Sequence, residues 1–533
     1  MKLDPETIDV SIEELEIVVD GARHQTLNDE DHRKLRGAVE TLGQMARMLA
    51  DKDATLRELR QMLLKPATTE KTRAVLERAG ILPQPNRKPD EPAAEKRKRK
   101  GHGRRPASAF VEALKVEVKH PTLQPGDPCP ECGKGKVYPL REPAVRVRIV
   151  GQAPVQATVY ELARLRCNLC QEVYKTPAPE QMGDSKRDET AASMVAVLKY
   201  GSGVPFYRLA GLQANLGIPL PPSTQWDMVA HAAAALEPVY EELIRQAAQG
   251  QVLYNDDTAM RILALARETA ADRTGVFTTG IVATAQGGKI TLFFSGDKHA
   301  GENLADVLSK RAAESPPPIQ MCDALSRNVA KGFGVILGNC LTHCRRNYVE
   351  VAANFAPECQ YVLETLGEVY GHDEEARRHQ MSDIERLAHH QAHSGPLMEQ
   401  LRQWGRQQLD EHRVEPNSGL GQAITYMLKH WEKLTLFLRQ AGAPLDSNIV
   451  ERALKKAILH RKNAMFYKTR HGAHVGDLFM SLIHTCESCG GNPFEYLTEL
   501  QRHGAELTQN PARWMPWNYR ATLEETAAVP KAA

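Results

Sequence analysis

The 533 residues carry a net charge of only +2, with 42% hydrophobic and 25% charged residues, the composition of a soluble globular protein. No apolar run approaches the ~18 residues that a membrane span needs, so no membrane partner is expected, and the length suits roughly three or four domains. The acidic opening MKLDPETIDVSIEELEIVVD lacks the basic-then-apolar layout of a signal peptide, which predicts a cytoplasmic protein. In that reducing compartment the ten cysteines read as thiols or metal ligands rather than disulfides.

Leu35, Leu42, Leu49, Leu56 and Leu63 recur every seven residues, the d-position spacing of a coiled coil. Val39 and Ala46 suit the accompanying a-positions, whereas Asp53 and Arg60 do not. Self-association of this helix and packing within its own chain therefore stay as alternatives. Pro66 ends the pattern, and from there to Pro106 the chain has the proline and charge content of a flexible linker. Seven basic residues cluster in it: Lys96, Arg97, Lys98, Arg99, Lys100, Arg104 and Arg105. Such a run is either solvated or a contact with nucleic-acid phosphates, which need only clustered positive charge.

Two Cys-x-x-Cys pairs follow, Cys129 and Cys132 in CPEC and Cys167 and Cys170 in CNLC. Four thiolates in two knuckles can close a tetrahedral site for one structural Zn²⁺. Alternating apolar positions at 145–149 and 157–162 predict a hairpin between the knuckles, as in a zinc ribbon. Cys486 and Cys489 form a lone pair and read as buried thiols. A helix from about Phe206, a break at Gly217, and a second helix capped by Ser223 or Thr224 give a helix-turn-helix-like outline.

From Gly250 the texture changes to strands. GQVLYNDDTAMRIL, TGVFTTGIVATA and KITLFFSG predict a three-stranded meander, and AGENLADVLSKRAAE predicts a helix. PIQMCD then gives a strand ending at Asp323, and KGFGVILGNCLTHCRRNYVEVAANF a strand running into a helix. That order is the outline of an RNase H-like fold. A helical stretch, roughly 348–441, interrupts it before a last helix opens at PLDSNIVERALKKAI, with Asp446 or Ser447 as cap.

The first strand carries Asp256 and Asp257 in an apolar setting. Ionised carboxylates there need a cation against them, or a turn or bulge that exposes them. In an RNase H-like sheet the acid of that strand, Asp323, and Glu451 in the first turn of the last helix converge at one edge of the central strands. Three carboxylates so placed can hold two Mg²⁺ ions, which favour hard oxygen ligands, for in-line phosphoryl transfer. Around Glu451 stand Arg452, Lys455, Lys456, His460, Arg461 and Lys462, either a solvated helix face or a cradle for DNA phosphates.

The stretches GHGRRP, LKYGSGVPFYR, NDDT, THCRRNYVE, PLDSNIVERALKKAILHRKNAMFY and SLIHTCESCGGNPFEYL spread from about Gly101 to Leu500. Together they resemble the insertion sequence 66 family of bacterial transposases, enzymes of the Asp-Asp-Glu class. Where that family usually shows Asp-Glu-Thr, this chain has Asp256-Asp257-Thr258. The resemblance implies that Asp256, Asp323 and Glu451 are the catalytic acids, and that DNA strands are cleaved and joined to target DNA. It also implies terminal inverted repeats as substrate, an accessory role for the zinc ribbon, and a nucleoid-associated protein. A homo-oligomer and element-encoded helper proteins complete the expected partners.

The expected architecture is α/β and multidomain, an RNase H-like catalytic domain interrupted by a helical insertion and preceded by a zinc ribbon and a coiled-coil-like helix. In order these are a helical segment at 1–66, a basic linker at 67–108, a zinc ribbon at 109–180 and a helix-turn-helix-like region at 181–248. The catalytic domain follows at 249–346 and 442–505, split by the insertion at 347–441, with a tail at 506–533. Two other functions use the same residues: an RNase H-like nuclease or resolvase that cuts without joining, and a DNA-binding protein whose catalytic domain is retired.

Overall fold

The computed structural model describes residues 185–265, 275–285 and 288–528, most of 120–140 and 151–179, and a few isolated positions besides. The chain divides into two compact units, residues 1–82 and 83–533. The first is described at Val18, Val19, Asn28, Asp31, His32 and Leu35, all helical except Asn28. Leu42, Leu49, Leu56 and Leu63 of the heptad lie outside the described residues. So do the basic residues 96–100, 104 and 105.

The second unit is a mixed α/β fold around a five-stranded sheet. β1 (Val252–Ala259), β2 (Phe277–Ala285) and β3 (Gly288–Gly296) form the antiparallel meander. β4 (Ile319–Cys322) and β5 (Ile336–Asn339) join in parallel on the other side of β1, giving the order β3-β2-β1-β4-β5. This arrangement is consistent with an RNase H-like domain. Strand alternation and short apolar runs between turns made the meander readable, and its core residues Leu253, Ile281, Ala283, Ile290 and Leu292 are fully buried.

Before the sheet come α1 (Glu189–Ala196), which runs on through a π turn at Val197–Gly201, then α2 (Phe206–Asn215) and α3 (Pro222–Ala248). α4 (Ala300–Leu308) links β3 to β4, and α5 (Leu341–Val351) follows β5. The helical stretch after it is α6 (Ala356–Arg378), α7 (Asp383–Asp410) and α8 (Gly419–Lys429). α9 (Asn448–Ala464), α10 (Arg470–Ser488) and α11 (Pro493–Arg502) bring the chain back to the core. Among the described residues, no helix is long and apolar enough to cross a membrane.

The edge strand β3 shows how the late helices are tied to the sheet. An edge strand presents unpaired N–H groups that need partners. Asp477 Oδ2 accepts from Ser295 N at 2.6 Å, Ser481 Oγ from Phe293 N at 2.9 Å, and Thr485 Oγ1 from Thr291 N at 3.0 Å. Four helical residues rise ~6 Å and two strand residues ~6.8 Å, so every fourth residue of α10 meets every second residue of β3. Three polar side chains thus close the edge and fix α10 in register.

Two local expectations are corrected. α3 starts at Pro222 with Pro221 at its cap and no side-chain cap bond, so neither Ser223 nor Thr224 caps it. Proline at the first helical position needs no N–H partner, which moves the start ahead of both hydroxyls. Residues 157–162 carry no strand pairing: Val159 and Leu162 are exposed, with no core to cover them. Residues 145–148 of the expected hairpin lie outside the described residues, and a short hairpin is described at Arg164–Arg166 paired with Val173–Lys175, on either side of the second Cys-x-x-Cys in sequence. α2 and α3 are joined by a turn at Gly217, with φ +77°, and α3 buries Val229, Leu236, Val239 and Leu243 completely.

Candidate active site

Asp256 lies in the middle of β1, opposite Gly280 of β2. Asp323 follows directly on β4, the parallel neighbour of β1. Tyr254 pairs with Met321, the last pairing of the two strands, and each acid stands two residues beyond it, with Asp323 near enough to act electrostatically on Asp256. Burial pushes the Asp256 carboxyl up to about 7; the charges of Asp323 and Asp257 push the same way, against the Asp257 amide and His343. Its Oδ1 accepts from the Asp257 amide at 2.8 Å. Asp323 Oδ1 accepts from Asn328 Nδ2 at 2.7 Å and from Leu325 N at 3.1 Å, which fixes that carboxyl at the strand end.

Glu451 comes from the first turn of α9, and a glycine sets how near it can come. A Cβ on Gly280 would lie 3.0 Å from Leu454 Cδ2 and 3.3 Å from Val450 Cγ2. The missing side chain lets α9 settle on β2 next to the cross-strand partner of Asp256. Asp446 Oδ1 accepts from Asn448 N at 3.0 Å at the start of this helix, while Ser447 holds the cap position without a side-chain bond.

Asp257 points the other way, as strand alternation requires. Its side chain is 3% exposed and meets His299 Nδ1 at 3.3 Å and Arg327 at 3.5 Å. Asn255, on that same face, donates to Asn328 O at 2.7 Å. The second aspartate of the pair is therefore neutralised by the protein itself, and β1 runs through both without a bulge.

One residue that sequence reading passed over belongs to this site. His343, in the first turn of α5, places Nε2 3.7 Å from Glu451 Oε1 and also acts electrostatically on Asp256. Its Nδ1 is buried without a hydrogen-bond partner among the described residues. The available signal was position: a histidine just past the end of β5 falls at the same sheet end as Asp323. Among the described residues, no group of three or more His, Cys, Asp or Glu is already gathered tightly enough to hold a metal ion.

The cationic run of α9 divides. Arg452, Lys455, Lys456 and Lys462 are exposed. Arg461 donates to Thr258 Oγ1 at 3.2 Å and to Ala259 O, pinning the end of β1. His460 is not part of any cradle: it is buried between the rings of Tyr200 and Tyr467, at 6.0 and 5.0 Å, and burial followed by the charge of Lys199 lowers it to about 3.

Of the four cysteines at 129–170, Cys167 and Cys170 lie outside the described residues. The first knuckle is folded: Cys129 N donates to Gly135 O at 2.7 Å, and Gly135 N to Cys132 Sγ at 3.5 Å. The backbone amides of Gly135 and then Lys134, with the Cys129 side chain, hold the exposed Cys132 thiol below its usual pKa. Cys486 is buried and Cys489 half-buried, as the lone pair suggested.

The chain is 28% identical over 384 residues to "Uncharacterized protein y4jD" of Sinorhizobium fredii (strain NBRC 101917 / NGR234), covering 68% of this chain and 73% of that one. It is 25% identical over 466 residues to "Uncharacterized protein y4hP" of the same strain, covering 81% and 79%. No solved structure matches it. The family model described as "Transposase IS66 family" matches residues 186–475, more than half the chain and the whole span that carries Asp256, Asp323 and Glu451. The chain belongs to the IS66 family of DDE transposases.

Proposed function

We propose that this protein cuts DNA at the ends of its own element and joins those ends to target DNA, with Asp256, Asp323 and Glu451 as the catalytic acids. The observation that carries the reading is the pair Asp256 and Asp323. They stand on and just past adjacent parallel strands, and among the described residues His343 acts on Asp256 electrostatically without an ion-pair contact. The DDE class implies a divalent metal. The donor set fits one, because the oxygens are hard and Asp256, raised by burial and by its acidic neighbour, gains from a cation beside it. Bound between these carboxylates, two Mg²⁺ ions would supply Lewis-acid stabilisation of phosphoryl oxygens and lower the pKa of the attacking hydroxyl.

The chain's own residues set up that chemistry. Asn328 and the Leu325 amide orient Asp323. His343 restrains Glu451, and the ion pairs of Asp257 hold the far face of β1 against the turn at Ser326–Asn328. Arg452, Lys455, Lys456 and Lys462 offer exposed charge to the DNA backbone, joined by the basic block at 96–105. Residues 249–346 and 442–505 form the catalytic domain around the 347–441 insertion. Cys129, Cys132, Cys167 and Cys170 hold one structural Zn²⁺, and the leucines from Leu35 to Leu63 mediate self-association. Metal analysis tests the zinc part: Cys132→Ser should lose about one zinc per chain, and unchanged zinc would remove the assignment.

The reaction itself is tested by incubating the full-length protein with Mg²⁺, a duplex bearing the element's terminal repeat, and a plasmid target. Joined product is expected. Cleaved ends that never appear in the plasmid would establish a nuclease instead, and intact DNA under conditions of demonstrated binding would establish a retired enzyme.

A further inference from the structure

A cavity of about 310 Å³ opens between β2, β3, α9 and α10. It lies on the face of the sheet that carries Asp256, since its wall residue Val282 pairs with Tyr254, which alternates onto that face. Ile449, Arg452, Ala453 and Lys456 form one helical stripe of α9 toward it. Glu451 sits on another. The cavity and the acids therefore flank the same helix without sharing side chains.

Three cationic side chains, Lys289, Arg452 and Lys456, line the cavity with a single carboxylate, Glu487. That carboxylate is already engaged: Lys456 Nζ lies 3.5 Å and His484 Nδ1 3.0 Å from its Oε2, and the His484 contact holds Glu487 below the usual carboxylate range. Lys289 and Arg452 have no acidic partner among the described residues. His484 borders the same cavity. Its side chain is 5% exposed, and its Nε2 is buried without a hydrogen-bond partner. With Glu487 accepting, Nδ1 carries a proton. An anion in the cavity would balance the surplus positive charge of Lys289, Arg452 and Lys456.

We propose that this cavity binds a phosphoryl group, held by Lys289, Arg452 and Lys456. Two sources share that chemistry: the backbone of a DNA strand crossing α9 from the acids, and a free phosphate-bearing small molecule. Only the first rests on the transposase reading, and neither needs the three acids to be catalytic.

The test uses the full-length protein carrying Asp256→Asn, so that DNA stays uncut, with and without Lys289→Gln/Lys456→Gln. Both lysines are exposed, so folding should be kept, and circular dichroism checks it. Inorganic phosphate is titrated by calorimetry, and a short duplex is bound across a salt series. The double variant should bind phosphate at least ten-fold more weakly, while Lys455→Gln, outside the cavity on the same helix, should bind it as before. If the salt slope for duplex also falls by roughly 0.9, one backbone phosphate is lost and DNA is the source. An unchanged slope with lost phosphate binding assigns the pocket to a free phosphate-bearing ligand. Unaltered phosphate binding with an unaltered slope overturns the proposal, whatever happens to DNA cleavage by the acid variants.

Discussion

Two aspartates, one in the sheet and one in the helical insertion, are both removed from water and are treated in opposite ways. Asp373 of α6 is raised by burial, but His390 and Arg386 outweigh that and bring it to about 2. Arg386 reaches its Oδ1 at 2.7 Å and His390 Nε2 the same oxygen at 3.3 Å. Asp256, half-buried like Asp373, feels another carboxylate and ends near 7. A raised value alone does not mark a site, because Asp477 also stands at about 7, raised by burial, with both oxygens occupied by Ser295. The partner set separates them: Asp373 serves the fold, Asp477 seals a sheet edge, and Asp256 is left for a cation from outside.

That contrast breaks first at the other acids. Asp323→Asn and Glu451→Gln should each lower Mg²⁺-dependent cleavage by roughly a thousand-fold or more while leaving DNA binding and thermal unfolding close to wild type. Residual activity near the wild-type level would take the residue out of the site. His343→Gln should cost about ten-fold in cleavage and raise the metal concentration needed for half-maximal rate, as loss of a group orienting a metal ligand does. A fall in rate at unchanged metal requirement would assign His343 a different role.

Asp373 gives the smallest effect and the opposite kind. A carboxyl whose pKa is lower folded than unfolded stabilises fully above its unfolded value near 3.9, and that contribution is lost as pH falls toward 2. Asp373→Asn should therefore lower stability at pH 7 by about 1–3 kcal/mol, flatten the acid limb of the stability profile between pH ~4 and ~2, and leave catalysis per folded molecule unchanged. Urea unfolding across that pH range reads both.

The parts legible from the residues were those with local periodicity or a local contradiction. The meander showed through alternation, and Asp256 showed because a charge interrupted an apolar strand. The opposite faces of Asp256 and Asp257 followed from strand geometry alone. What stayed hidden depends on contacts between distant segments. His343 meets Glu451 across more than a hundred residues, and no spacing announces it. Asp477, Ser481 and Thr485 look like a solvated helix face, yet they are buried because β3 is an edge. His460 looked like one more cation in a basic run, and only the rings of Tyr200 and Tyr467 reveal it as core.

The most direct measurement is cleavage of terminal-repeat DNA by Asp256→Asn beside Asp257→Asn, in Mg²⁺ and again in Mn²⁺. Both substitutions exchange a carboxyl for an amide at nearly constant volume on neighbouring residues of one strand, so side-chain size is matched, and thermal unfolding of each variant controls for stability. Asp256→Asn should be inactive in either metal. Asp257→Asn, which loses only the pairing with His299 and Arg327, should keep substantial activity. An active Asp256→Asn beside an inactive Asp257→Asn would contradict the assignment and put the catalytic face of β1 on the other side of the sheet.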